Sequence, residues 1–332
     1  MQERQLGPFR VSAIGLGCMN LSHAYGKPPS PEQGEKLLLA ALDAGVTLFD
    51  TAALYGFGAN EKLLGQVLKP HRDRITLATK GGMAGVASAD GVKRVIDGSP
   101  RAIRRDCEDS LRNLQTDVID LYYLHRWDKK EPIEDSIGAM ADLVRAGKVR
   151  ALGLSEVSAT TLRSAHAVFP IAAVQTEYSL WSRNAEIAVL QACQDIGAAF
   201  VAFSPLARGF LCDVQLDFET LDAKDIRRGM PRFAAANYAA NLLLQPALRQ
   251  LAQDAGCTPA QLALAWLLRK APHIIPIPGT TSVAHLQDDL GASAVQLSMD
   301  VFAAVDVAIN QHTVTGERYN AQSSGEVDTE TF

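Results

Sequence analysis

Four residues of the sequence have the types and the order needed for proton transfer by a tyrosine. Asp50, Lys80 and His125 each end an apolar run, and Tyr55 lies in a loop just after Asp50. A nearby ammonium group stabilises a phenolate and lowers the pKa of the phenol, which makes the phenol a better acid. Each residue alone could be an ordinary strand-end or loop residue, but their joint order favours a site. We expect Lys80 to act on Tyr55, with Asp50 holding Lys80 in place.

The elements that carry these residues alternate between short apolar runs and longer segments of helical period. Such alternation is typical of repeated βα units. Strands are predicted at 13–17, 46–50, 75–80, 118–125, 149–154, 172–175, 198–204 and 273–277. Eight such runs favour a single (β/α)8 TIM barrel, whose site lies at the carboxyl ends of the strands. Those ends are where the candidate residues cluster.

Outside the repeat, the sequence predicts an N-terminal β-hairpin at Gly7-Pro8 and a long loop at 205–245, after the seventh strand. The loop is too long for an ordinary connection, so we interpret it as a functional loop or lid. We expect one domain over 1–332, with the barrel at about 6–312 and a polar tail at 313–332 that is loose at its end.

Helix boundaries are marked by capping residues. Ser30 before Pro31, with Gln33 three positions after the serine, predicts a capping box, and Thr258 with Gln261 repeats the pattern.

Composition narrows the classes of partner. The chain has 332 residues, 47% of them hydrophobic, with 32 basic against 37 acidic residues and a net charge of −5. It has no basic block, so nucleic acid is not expected as a partner. The amino terminus does not resemble a signal peptide and no apolar stretch has transmembrane length, so we expect a cytoplasmic protein without a membrane partner. The five scattered cysteines predict reduced thiols and no metal site.

The set Asp50, Tyr55, Lys80 and His125 resembles the catalytic tetrad of the aldo-keto reductase family. Further segments at 55–61, 153–155, 175–178, 203–209 and 277–282 are similar to the family's tyrosine loop, nicotinamide-binding segments and phosphate-side segments. The resemblance covers 6–297, and the segment 124–128 looks most like the bacterial and plant oxidoreductase branch. It implies NAD(P)H-dependent reduction of an aldehyde or ketone, with Tyr55 as proton donor and His125 orienting the carbonyl.

The resemblance also implies which residues contact the cofactor. Those expected near the nicotinamide are Gly17, Cys18, Met19, Asp50, Ser155, Glu156, Gln175 and Phe203. Those expected near the phosphates and adenosine are Ser204, Pro205, Leu206, Arg208, Gly279, Thr280, Thr281, His285, Asp288 and Asp289.

Three positions depart from the family pattern. Glu156 stands where the family often has asparagine, and Phe203 where a tyrosine commonly stacks on the nicotinamide. Thr281, Ser282 and His285 replace the basic residues that usually bind the 2′-phosphate of NADPH. The usual preference within the family favours NADP(H) as the cofactor, with NAD(H) as the alternative.

Substrate contacts are expected from an aromatic, apolar mouth suited to small aldehydes or ketones. Its members would be Met19, Tyr25, Phe57, Trp127 and Trp181. An alternative function is a nucleotide-binding regulatory subunit of a channel-like partner with little turnover, as some family relatives are. The sequence indicates neither the physiological carbonyl compound nor the oligomeric state.

Overall fold

The computed structural model describes residues 1–22, 24–89, 91–214 and 216–332. Within these ranges, eight parallel strands follow one another in a curled sheet surrounded by helices, which confirms the predicted (β/α)8 fold. No helix among the described residues has both the length and the apolar composition that crossing a bilayer requires.

Every predicted strand run overlaps a barrel strand. The barrel strands, in sheet order, are β3 Leu16–Gly17, β4 Leu48–Asp50, β5 Thr76–Gly81, β8 Ile119–Leu124, β9 Val149–Ser155, β10 Ile171–Glu177, β11 Ala199–Phe203 and β12 Ile274–Pro276. All residues of β5 and β8 are buried, as expected for parallel strands covered on both faces. Continuous burial explains why these strands appear in the sequence as uninterrupted apolar runs.

The two ends of the sheet meet next to β3. The backbone N–H groups of Gly15 and Gly17 donate to the carbonyls of Pro276 and Pro278, each over 3.0 Å. A Cβ on Gly17 would lie 2.8 Å from the carbonyl oxygen of Ile277. Only glycine allows this close approach of the first strand to the last.

The predicted N-terminal hairpin is present as β1 Glu3–Leu6 and β2 Phe9–Ser12. Leu6 and Val11 of this hairpin pack in one buried cluster with residues of the barrel interior, such as Leu121 and Val201. The hairpin therefore contributes to the interior packing of the barrel.

The helices are bounded largely as their caps predict. They are α1 Pro31–Asp43, α2 Ala59–Leu68, α3 Pro100–Leu114, α4 Ile133–Arg145, α5 Ala159–Val168, α6 Val189–Ile196, α7 Ala235–Leu242, α8 Gln245–Asp254, α9 Pro259–Lys270, α10 Val283–Gly291, α11 Met299–Ala308 and α12 Ala321–Gly325. The capping boxes of Ser30 with Gln33 and of Thr258 with Gln261 are both formed, which confirms the predicted starts of α1 and α9.

A second hairpin, which the sequence did not predict, follows β5. It consists of β6 Met83–Ser88 and β7 Gly91–Ile96, paired antiparallel. Most of its residues are exposed or half-buried, so it lacks the apolar runs that mark the barrel strands.

The long segment after β11 is ordered by its own contacts. It contains short 3-10 turns and helix α7, and its side chains Leu211 and Phe233 are buried. The Phe233 and Tyr238 rings stack with centroids 5.9 Å apart, and Phe218 packs against both. Residue 215 of the predicted loop lies outside the described residues. These contacts exclude a disordered insertion over the rest of the segment.

The expectation of a loose C-terminal end is wrong. Asp328 forms a parallel bridge with Val157 and accepts a hydrogen bond from the Thr161 hydroxyl over 2.7 Å. Glu330 accepts one from the backbone N–H of Ala159, also over 2.7 Å. Polar side chains dock the tail on the start of α5, which hydrophobic periodicity cannot reveal.

Candidate active site

A cavity of about 950 Å³ opens at the carboxyl ends of the barrel strands. This volume lies near the upper end of the range typical of small-molecule sites. Asp50, Tyr55 and His125 line the cavity, and Lys80 lies fully buried next to them. The structure therefore brings together the four residues on which the sequence hypothesis depends.

Lys80 is the centre of this group. Its Nζ donates hydrogen bonds to the Asp50 carboxylate, to the Thr51 carbonyl over 2.8 Å and to the Tyr55 hydroxyl over 3.3 Å. The Tyr55 oxygen accepts from Lys80, so the Tyr55 O–H can act as a hydrogen-bond donor. The phenol that lines the cavity therefore has the ammonium group of Lys80 on its oxygen.

Asp50 has both carboxylate oxygens occupied. One pairs with Lys80, and the other accepts a hydrogen bond from Gln175 Nε2 over 2.7 Å. The resemblance suggested a cofactor role for Gln175 and gave no sign of this bond. Gln175 fixes the Asp50 carboxylate, which in turn fixes the ammonium group.

The loop that carries Tyr55 is anchored through α2. Asn60 donates to the Cys18 carbonyl over 2.8 Å and accepts from the Thr51 hydroxyl over 2.6 Å. Gly56 and Gly58 adopt left-handed backbone conformations, with φ of 56° and 90°. The chain can therefore turn sharply between β4 and α2 and present Tyr55 to Lys80.

His125 directly follows β8, which lies beyond β5 from β4, and its ring approaches Tyr55. The two rings make an edge contact with centroids 5.9 Å apart, and the His125 backbone N–H donates to the Gly81 carbonyl over 2.8 Å. An oxygen atom bound beside the Tyr55 hydroxyl would therefore also lie beside the imidazole.

Burial raises the pKa of Tyr55, and the Lys80 ammonium offsets this effect only in part. Burial lowers the pKa of Lys80, but the Asp50 carboxylate and the Tyr55 oxygen more than reverse that, so its pKa is raised and the amine stays charged. The expectation that Lys80 brings the pKa of Tyr55 below its usual value is therefore wrong in net direction. Tyr55 is fully protonated near neutral pH, which is the form that donates a proton.

The rest of the cavity wall contains most residues expected to hold a nucleotide. Those that line it are Gly17, Met19, Ser155, Gln175, Phe203, Ser204, Pro205, Leu206, Arg208, Gly279, Thr280, Thr281, His285, Asp288 and Asp289. Ser204, Ala207 and Arg208 have φ of 47°, 50° and 58°, a left-handed conformation that is costly for residues other than glycine. Such turns present successive backbone N–H groups, which suits an anion.

A close approach of backbones marks the opposite wall. A Cβ on Gly279 would lie 2.9 Å from the Gly17 carbonyl and 3.0 Å from the Asn20 side chain. Ser282 caps α10, and the exposed residues Thr281 and His285 lie at the start of this helix. The wall thus combines glycine, hydroxyl groups and a helix N-terminus, which fits the phosphate side of a nucleotide.

Asp289 is a buried carboxyl group in the same wall. Burial and the neighbouring charge of Asp288 raise its pKa to about 7. Asp288 itself accepts a hydrogen bond from the Thr258 hydroxyl over 3.0 Å. Asp289 is therefore partly protonated near neutral pH.

Glu156 has a structural role in place of the cofactor contact suggested by the resemblance. Its carboxylate is buried away from the cavity lining, accepts a hydrogen bond from the Glu177 backbone N–H over 2.8 Å and pairs with Arg318 of the tail. Its φ is 58°, a left-handed conformation in which asparagine is less strained than glutamate. The departure from the family pattern thus provides an anchor for the tail.

Several other expected contacts are also absent from the cavity lining. Cys18 is fully buried, and the ring of Trp181 packs on Phe210, with centroids 3.9 Å apart. Trp127 donates to the Glu131 carbonyl over 2.8 Å, and the half-exposed Phe57 packs beside Gly85 of β6. Of the aromatic residues expected in the mouth, Tyr25 is the one that lines the cavity in the described part of the chain. An aromatic residue after a strand packs in the core or on a loop as readily as in a site.

The structure adds lining residues that sequence reasoning missed. Arg126 follows His125 directly, Arg94 comes from the unpredicted hairpin, and Tyr319 and Glu326 come from the tail. The position of Arg126 next to His125 was a usable signal. The others depend on long-range docking, for which the sequence offers no local pattern.

Comparison with known proteins is consistent with this geometry. The model of the Aldo/keto reductase family matches residues 13–310. The chain is 41% identical to the probable aldo-keto reductase 1 of Glycine max over 312 residues, which are 94% of this chain and 89% of that protein.

Solved structures with a similar fold include bacterial proteins. The glycerol dehydrogenase AKR11B4 from Gluconobacter oxydans has a TM-score of 0.84 and 30% identity, covering 92% of this chain and 94% of that one. The aldo-keto reductase AKR11C1 from Bacillus halodurans, in its holo form, has a TM-score of 0.79 and 27% identity, covering 94% and 99%. A thermostable aldo-keto reductase, Tm1743, solved with the inhibitor epalrestat, has a TM-score of 0.74 and 28% identity, covering 93% and 100%.

Proposed function

Because the chain belongs to the aldo/keto reductase family, we propose that it reduces aldehydes or ketones to alcohols with NADPH, using Tyr55 as the proton donor. The observation that carries this proposal is the contact of Lys80 Nζ with both the Asp50 carboxylate and the Tyr55 hydroxyl, beside the cavity. A reduced nicotinamide bound in the cavity would supply the hydride.

The roles of the protein groups follow from their contacts. As negative charge develops on the carbonyl oxygen, Tyr55 donates its proton there, and Lys80 stabilises the phenolate that remains. Asp50 and Gln175 hold Lys80 charged and in position. His125, beside the Tyr55 ring, orients the carbonyl oxygen.

The choice of cofactor depends on the residues at the start of α10. We propose NADPH, with less discrimination against NADH than a relative with basic residues would show. Thr280 and the exposed residues Thr281 and His285 offer hydroxyl and imidazole groups near the start of α10, without a permanent cation among these three.

The test is an assay of nicotinamide oxidation by the purified protein. NADPH and NADH would each be supplied with uncharged aldehydes and ketones, and the alcohol would be identified as the product. We expect turnover with both nucleotides and a higher kcat/KM with NADPH. Nucleotide binding without reduction of any carbonyl compound would instead support the regulatory-subunit alternative.

A further inference from the structure

Arg126 lies where the substrate of the proposed reaction would bind. It follows His125 at the end of β8 and contributes to the cavity lining. Its Nη1 donates to the His125 carbonyl over 2.6 Å and to the Ser155 hydroxyl over 3.0 Å. These two bonds fix one edge of the guanidinium group beside the proposed proton donor.

Other cavity arginines are neutralised by the protein itself. Arg94 pairs with Glu326, Arg208 with Glu177 over 3.0 Å, and Arg227 with Asp225 over 2.7 Å. Three of the lining guanidinium groups therefore have a carboxylate partner.

Arg126 differs from these arginines. Within the described ranges of the chain, no carboxylate lies within ion-pair distance of it. Glu326 acts on it electrostatically, but both oxygens of Glu326 accept hydrogen bonds from Arg94. The N–H donors on Nε and Nη2 of Arg126 have no hydrogen-bond partner among the described residues.

A desolvated cation without a counterion is costly unless a ligand provides one. Burial lowers the pKa of Arg126 more than the nearby Tyr319, Tyr55 and Glu326 raise it, so the protein compensates its charge only in part. The phosphate groups of a nucleotide are poor candidates for the counterion of Arg126, because the segments suited to phosphate are 203–209 and 277–282. Arg126 instead acts on Tyr55, whose pKa its charge helps to lower against the effect of burial.

We propose that Arg126 binds a carboxylate of the substrate, so that carbonyl compounds carrying a carboxylate close to the reacting carbon are preferred. This inference rests on the proposed function and names the substrate class of the same site. A guanidinium group presents a planar fork of donors that matches a carboxylate, and one edge of the Arg126 fork is unused.

Two pairs of compounds test the preference. Pyruvate would be compared with methyl pyruvate, and phenylglyoxylate with methyl phenylglyoxylate, because both acids carry the carboxylate next to the reacting carbonyl. Each ester keeps the reacting carbonyl and removes the charge. We expect the ratio of kcat/KM for the acid to that for the ester to be about 10- to 100-fold in at least one pair, the range expected for a charge-assisted hydrogen-bonding pair.

Substitutions then assign the preference to this residue. Arg126→Met should bring the ratio close to one, and Arg126→Lys should keep part of it. Because the result is a ratio, a general loss of rate from movement of His125 or Ser155 cancels. Arg227→Met is the matched control, since it removes a cavity arginine that Asp225 already neutralises, and the ratio should stay within about twofold. If Arg126→Met is inactive with both compounds of a pair, the ratio of kcat/KM for the acid to that for the ester is measured in Arg126→Lys and compared with that of the wild type.

The possible results separate this inference from the proposed function. Esters reduced as fast as the acids in both pairs, or a preference that survives in Arg126→Met, would overturn the inference and leave carbonyl reduction standing. Failure to reduce any of the four compounds, or any uncharged aldehyde, would contradict the proposed function and this inference with it.

Discussion

Replacing Asp289 by asparagine should stabilise the protein at high pH and have little effect at low pH. Asp289 is buried in the cavity wall, where burial and the charge of Asp288 raise its pKa from 3.8 to about 7. Asparagine has nearly the same shape but cannot ionise, so Asp289→Asn removes the cost of a buried negative charge without removing volume.

The magnitude follows from the two pKa values. Between about pH 4 and pH 7 the folded protein keeps a proton that the unfolded chain has released, so the free energy of unfolding falls as pH rises. The stabilising effect of the raised pKa is fully present below the unfolded value of 3.8 and is lost as pH passes the folded value of about 7. The full difference corresponds to about 4 kcal/mol. Local relaxation reduces it, so we expect about 2 to 4 kcal/mol.

The assay is urea denaturation of both proteins between pH 4 and pH 8. The free energy of unfolding of Asp289→Asn should match that of the wild type near pH 4 and exceed it by about 2 to 4 kcal/mol at pH 8. Asp43→Asn, which changes an exposed carboxylate, is the control and should show a difference near zero throughout. If the free energy of unfolding of Asp289→Asn differs from that of the wild type by the same amount at both pH values, the pKa of Asp289 is not raised in the folded protein.

Two further predictions concern the tail and the cofactor. Glu156→Gln removes the carboxylate that pairs with the buried Arg318, so the free energy of unfolding should fall by about 3 kcal/mol in urea denaturation; unchanged stability would show that this pair does not hold the tail. Thr281→Arg places a cation at the start of α10, so the Kd for NADPH should fall about tenfold in fluorescence titration, with that for NADH changed less than about twofold. Equal gains for both nucleotides would place the 2′-phosphate elsewhere.

The barrel could be predicted because its signals are local. Continuous burial of strands such as β5 and β8 produces uninterrupted apolar runs, and the cap at Ser30 lies within three residues of its partner. The hairpin of β6 and β7 was missed because its side chains are mostly exposed. No hydrophobic period distinguishes such a hairpin from an irregular loop.

The features of the site that the sequence could not predict also depend on long-range contacts. The sequence could predict that Asp50, Lys80 and His125 lie close together, with Tyr55 beside them. These three residues lie at the ends of parallel strands or directly follow them, and parallel strands end at the same face of a barrel. The net direction of the Tyr55 pKa depends on desolvation, which is a property of the folded cavity. The role of Glu156 depends on Arg318, which lies 162 positions later in the chain. Trp181 was misplaced because the sequence does not distinguish an aromatic residue in the core from one in the mouth.

The most direct test of the account is the rate of carbonyl reduction by Tyr55→Phe. Phenylalanine keeps the ring that contacts His125 and removes the hydroxyl that accepts from Lys80. We predict that the rate constant for reduction in a single turnover falls about 1,000-fold, within the range for loss of a general acid, while the Kd for NADPH in fluorescence titration changes little. A Tyr55→Phe variant that binds NADPH normally and reduces the same aldehyde at a rate close to that of the wild type would contradict the account.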